Sequence, residues 1–151
     1  SGKSEFLLDE PYCLVYKELV PPKSLEKVPF IKYQTDASVA NIIETWCAEH
    51  FEGPPSVAMD VNSMSTCRHF VRAGLGWSIL TYMGLGSCKD KDIYVSPLRN
   101  KDGECITRDT NMVYTKDAEN LVVVKTFIEY VRNYYKEHTV VDNSIFREYK
   151  A

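Results

Sequence analysis

The stretch from Ser56 to Tyr82 constrains this chain more than any other. It reads as a short apolar strand, Ser56 to Val61, then a polar turn, Asn62-Ser63-Met64, then an amphipathic helix. Gly74-Leu75-Gly76 stops the helix, and Trp77 to Tyr82 forms a second apolar strand. That order makes a βαβ unit, with a helix N-terminus at the carboxyl end of a parallel sheet. Unpaired backbone N–H groups and the helix dipole point outward there and favour small anions and polar ligands. The pattern predicts a ligand-binding α/β module rather than a catalytic one.

The flanking sequence repeats the alternation of strands and helices. Phe6 to Lys17 is rich in strand formers, with Tyr12, Leu14 and Tyr16 alternating. Pro21-Pro22 breaks regular structure, and Phe30 to Tyr33 reads as a further strand. Val39, Ile42, Ile43, Trp46 and Cys47 follow at helical spacing, with Asp36 or Ser38 as the cap. The helix of the central unit puts Met64, Cys67, Phe70 and Val71 on one side, and Gly74 suits the position just past its end. Ile93 to Val95 and Met112 to Thr115 read as strands, and Asn100 to Gly103 as a turn. Asn120 is the expected cap of a last helix striped with Val123, Val124, Phe127, Ile128, Val131, Tyr134 and Tyr135. Val140 to Ala151 has no clear pattern. The result is an α/β fold with a largely parallel sheet.

Composition narrows the function. The 151 residues carry a formal net charge of −3, which opposes nucleic-acid binding by this chain itself, because phosphate contacts need a basic face. Charged residues make up 26%, ordinary for a soluble domain, and no apolar run reaches membrane-spanning length. The N-terminus lacks a signal-peptide pattern. The five cysteines, Cys13, Cys47, Cys67, Cys88 and Cys105, form no CxxC pair, so the expectation is free thiols in a reducing cytoplasm and no metal. No cofactor is expected either, since no GxGxxG, phosphate-loop or GxSxG signature is present. Cys67 and His69 stand two apart, which on a helix points them away from one another and opposes a thiolate–base pair. Cys47 and His50 could share a metal, but packing explains them as well.

An ordered set of segments carries a resemblance. Pro29-Phe30-Ile31 comes first, then the helix ending in Trp46 and His50, then Asp60-Val61-Asn62-Ser63-Met64. Val71 to Leu80, Val95-Ser96-Pro97-Leu98 and Phe127 to Val131 complete it. Together these resemble the effector-binding domain of LysR-type bacterial transcriptional regulators, from about Phe6 to about His138. The resemblance implies Rossmann-like lobes similar to periplasmic binding proteins, with a small metabolite between them. It implies that residues 1–28 are a crossover strand and linker of a partial first lobe, and 29–98 a complete second lobe. Residues 99–138 would return to the first lobe, and 139–151 would be a tail. Phe6 to Lys17 and Asn111 to Lys116 would be the crossovers. The family's winged helix-turn-helix and the opening of its first lobe have no counterpart in this chain. DNA contact is thus expected only through a domain outside it, and association into a homo-oligomer is expected. A solute-binding domain of a transport system and a small Rossmann-like enzyme are the alternatives.

Candidate effector-binding residues are those at the strand ends. Asn62, Ser63 and Met64 lie where a strand meets its helix, and Gln34, Thr35 and Asp36 occupy the equivalent loop of the preceding unit. Either Asn62 or Ser63 could equally serve as a simple helix cap. Thr81 and Tyr82, at the end of the following strand, complete the set. Gly74 and Gly76 read as structural.

Overall fold

A computed structural model describes residues 2–33, 37–86, 92–138 and 141–151. Its longest strand, β1, covers Gly2–Tyr16 and takes part in both of the units into which the chain divides. One unit comprises Ser1–Glu10 and Thr107–Asp142; the other comprises Pro11–Ile106 and Asn143–Ala151.

The larger unit holds the central βαβ pattern. Strand β2 (Phe30–Tyr33) leads to helix α1 (Ala37–His50), and strand β3 (Val57–Val61) to helix α2 (Met64–Arg72). Strands β4 (Ser78–Thr81) and β5 (Tyr94–Pro97) follow. β2 and β3 pair in parallel, and a parallel bridge from Phe30 to Trp77 joins β2 to the start of β4. β1 then lies antiparallel between β4 and β5, with Leu14 opposite Ile79 on one side and Ser96 on the other. The sheet is therefore mixed where the apolar pattern alone suggested parallel strands. Hydrophobic patterning reports burial, and it is blind to strand direction.

Two cores form because successive side chains of a strand face opposite ways. Tyr12, Leu14 and Tyr16 of β1, Phe30 of β2 and Ile79 of β4 meet Val39, Trp46 and Cys47 of α1. Cys13, Val15, Ile31 and Leu80 meet Cys67 and Val71 of α2 on the other face. Helices on both faces of a central sheet make this an α/β sandwich. A 3-10 turn over Pro22–Lys27, begun by the two prolines, places Leu25 in the first core. Glu26 in that turn accepts hydrogen bonds from the Glu52 and Gly53 N–H groups, which anchors the loop before Pro54-Pro55.

The chain end after Asn143 is docked in this unit. Ile145 and Phe146 pack on the second core, and the Arg147 N–H donates to the Val95 carbonyl at 2.9 Å. The Arg147 guanidinium lies 4.4 Å over the Tyr94 ring, and Glu148 receives two bonds from Arg99. These contacts satisfy part of the β5 edge, which would otherwise offer unpaired backbone groups.

The smaller unit pairs the first part of β1 with β6 (Thr107–Thr115), and helix α3 (Val122–His138) completes it. Along β6 only Thr110, Met112 and Tyr114 are half-buried, a two-residue period that marks a single covered face. Arg132 donates to Glu5 at 2.8 Å and to the Tyr114 hydroxyl, and Lys3 pairs with Glu119 at 2.7 Å. Leu8 and Ile128 are its buried apolar side chains among the described residues. The opposite side of α3 is open, with Val123 81% and Phe127 62% exposed. Asn120 does not cap α3. It sits in a 3-10 turn over Ala118–Asn120, and the first helical bond runs from the Lys125 N–H to the Leu121 carbonyl. The turn tightens the chain ahead of the apolar run Leu121-Val122-Val123, which moves the helix start one residue on.

Candidate functional site

The strand-to-helix turn after β3 supplies the best-defined polar groups. Ser63 has extended backbone, φ −133° and ψ 130°, and its hydroxyl oxygen accepts the Thr66 N–H at 3.3 Å. Its carbonyl takes the first helical bond, from the Cys67 N–H at 3.0 Å. One of the orphan donors of the first turn is thus satisfied, while the Met64 and Ser65 N–H groups lack an i−4 carbonyl within the helix. Asn62, in the bend just before, is exposed. Ser63 is the cap, and the Asn62 side chain is left for other contacts.

Met64 reaches across to the end of β4. A methyl group built on Gly84 would collide with the Met64 sulfur and come 3.1 Å from the Thr81 hydroxyl. The Gly84 N–H donates to that same Thr81 hydroxyl at 3.1 Å. Thr81 is almost fully buried, so its hydroxyl holds the turn over Met83–Leu85. Tyr82 is half-buried, and its ring meets Phe146 edge-on at 6.3 Å. The structure thus brings Ser63, Met64, Thr81 and Tyr82 to one end of the sheet through the glycine at 84. Gln34, Thr35 and Asp36 lie outside the described residues, between the end of β2 and the start of α1. Ser38 falls inside the first turn of α1.

Arg68 is the residue that sequence reasoning missed here. Its guanidinium donates to the Gly84 carbonyl and lies against Gly86, whose φ of +59° suits glycine. Arg68 stands one helical turn beyond Met64, so the i, i+4 spacing put both on the face toward that loop.

The cysteine and histidine pairs behave as packing groups. Cys67 is fully buried, while His69 is exposed and shares a 3.2 Å contact with Arg72. His50 stacks on Trp46 at 4.4 Å, with its Nδ1 at 2.9 Å from the Trp46 carbonyl. Burial pushes the Cys47 thiol up to about 11 and raises that of Cys67 as well. An unfolded thiol ionises near 8.5. Between that value and about 11 the folded chain keeps the Cys47 proton that the unfolded chain releases, so stability falls as pH rises through the window. We expect a thiol reagent at pH 7.5 to label exposed Cys105 at once, and buried Cys13, Cys47 and Cys67 only after denaturant is added. Peptide mass mapping reads this directly, and early labelling of Cys47 would contradict its burial. Cys88 lies outside the described residues. Among the described residues, no group of three or more His, Cys, Asp or Glu side chains could hold a metal ion. No helix among them is long and apolar enough to cross a membrane.

Residues 3–136 match the family model of the LysR substrate binding domain. The chain is 34% identical over 131 residues to the uncharacterized HTH-type transcriptional regulator YraN of Bacillus subtilis, covering 87% of this chain and 45% of that relative. It therefore spans just under half the length of that protein. In fold it is similar to the regulatory domain of CcmR from Synechocystis PCC6803, solved in complex with 2-PG, with a TM-score of 0.67 at 17% identity. That match covers 93% of this chain and 70% of the other. The effector binding domain of QuiR, solved in complex with shikimate, gives a TM-score of 0.66 at 16% identity over 92% of this chain and 68% of the other.

Proposed function

The chain belongs to the LysR substrate binding domain family, and from that premise we propose that it is the effector-sensing part of a bacterial transcriptional regulator. In this reading the unit around β2 to β5 is the complete second lobe, and the unit of β1, β6 and α3 is part of the first. A small metabolite with a carboxylate or similar polar group binds at the carboxyl ends of β2 and β3. The observation that carries the reading is the α2 N-terminus, where Ser63 caps the Thr66 N–H and the Met64 and Ser65 N–H groups remain for a ligand. Asn62 supplies a side-chain amide, and Gln34, Thr35 and Asp36 supply the matching loop from the first βαβ unit. Met64, Thr81 and Tyr82 form the wall behind them, held by Gly84 and Arg68.

The role is binding rather than catalysis. The two structural relatives described above were solved with 2-PG and with shikimate, which supports a small-molecule ligand here as well. Transcriptional control would run through a DNA-binding domain outside this chain, in the cytoplasm of the cell. The open apolar side of α3 supports coverage by further protein, including a second copy, since contiguous exposed apolar faces mark association surfaces.

A metabolite screen by thermal shift, followed by calorimetry on the compounds that stabilise the chain, tests this. Ser63→Ala removes a cap worth about 1 kcal/mol of stability. It should also weaken the effector by about fivefold to tenfold, as the N-terminal turn loosens. Thr35→Ala should weaken it by a similar factor. Unchanged affinity in both variants would take these loops out of the site.

A further inference from the structure

A cavity lies at the end of the same sheet opposite the strand-to-helix turns. It measures about 260 Å³ and is bounded by the end of β1, the Pro22–Lys27 turn and the Gly74–Trp77 segment. Its apolar lining includes Val20, Leu25, Val28 and Trp77. Trp77 is 0% exposed and is fixed by its indole N–H, which donates to the Val28 carbonyl at 3.0 Å. Lys17 and Glu18 also line it, and both are exposed. Neither forms an ion pair among the described residues.

This cavity is separate from the strand-to-helix turns. Trp77 lines it and β4 runs away from there over Ser78–Thr81, so Thr81 stands roughly 13 Å off at a rise of about 3.3 Å per residue. The glycine at 76 makes the wall plain backbone at that point, because the Pro29 carbonyl leaves no room for a side chain. An apolar hollow with a few polar groups at its rim is the usual form of a small-molecule site. Here the rim offers one cation and one anion on adjacent residues.

We propose that this cavity binds an apolar α-amino acid, with its carboxylate on Lys17, its ammonium on Glu18 and its side chain against the half-buried Val20 and Val28, with the buried Leu25 and Trp77 packed beneath them. Opposite charges at the rim match a zwitterionic head, whereas a simple carboxylate would meet repulsion from Glu18 and a simple amine repulsion from Lys17. Ser24 also lines the cavity, and a serine hydroxyl can both donate to a carboxylate and accept from an ammonium.

The test uses L-phenylalanine as probe, with the Trp77 indole N–H followed by NMR on the 151-residue chain. A saturable shift of that resonance is expected. 3-Phenylpropanoate, which lacks the ammonium, and phenethylamine, which lacks the carboxylate, should each bind at least tenfold more weakly. Lys17→Gln and Glu18→Gln should each weaken phenylalanine by about tenfold, and Val20→Phe should abolish the shift by filling the hollow. Ser63→Ala should leave it unchanged, which separates this site from the effector site proposed above. No saturable shift, or equal binding of phenylpropanoate and phenylalanine, would overturn the proposal. So would full affinity in both charge variants.

Discussion

Trp77→Ala is expected to lower the unfolding free energy by about 3–5 kcal/mol, the range for removing a fully buried large aromatic. The ring is central to the first core. It lies 4.6 Å from Phe30, 5.7 Å from Phe51 and 5.8 Å from Trp46, centroid to centroid. Each pair adds to the area term, since tilted and edge-on aromatic contacts are favourable in themselves. Truncation removes all three contacts and orphans the Val28 carbonyl, which now accepts the indole N–H. Trp77→Phe separates these effects. It keeps most of the packing but leaves the carbonyl unsatisfied, so a loss of about 1–3 kcal/mol is expected. Urea denaturation followed by circular dichroism measures both. A loss below about 1 kcal/mol for the alanine variant would mean that the cluster does not hold the two sheet segments together.

Gly76→Ala should cost about 3 kcal/mol, an unusually large effect for one methyl group. The Cβ would overlap the Pro29 carbonyl oxygen and come 3.1 Å from Ile31 Cγ1. The carbonyl cannot retreat, because it accepts the Trp77 N–H at 3.0 Å and belongs to a proline. Retreat would also pull on the Ile31 N–H, which donates to the Trp77 carbonyl at 2.8 Å. The neighbouring glycine is the control. Gly74 has φ +79° with open space where a methyl group would stand, so Gly74→Ala incurs only the left-handed backbone penalty of about 1–2 kcal/mol. The same denaturation experiment on the two variants decides the point. Gly76 carries no positive φ, so a loss no larger than that of Gly74→Ala would show that small shifts relieve the crowding against the Pro29 carbonyl.

Local patterns carried much of the fold. β2, α1, β3, α2 and β4 fall where periodicity, proline breaks and glycine stops put them, because each signal acts within a few residues. Ser63 as cap and Gly74 as helix stop follow from the backbone geometry that those residues favour. The candidate site was legible to the same extent. Ser63 and Asn62 were visible at a strand end, while Arg68 was hidden, since its partner is a carbonyl sixteen positions away. The contact of Tyr82 with Phe146 depends on a tail with no pattern of its own, whereas Thr81 reaches only three residues on, to the Gly84 N–H.

By itself, the sequence determined an α/β module with a polar helix start at the end of an apolar strand, since propensity and hydrophobic period are local properties. Only the tertiary structure decided that β1 runs antiparallel between β4 and β5, that one chain end docks beside β5, and that a hollow opens beside Trp77. Strand direction, edge pairing and cavity shape arise from contacts between residues distant in the chain, and an amphipathic pattern is the same whichever neighbour covers it.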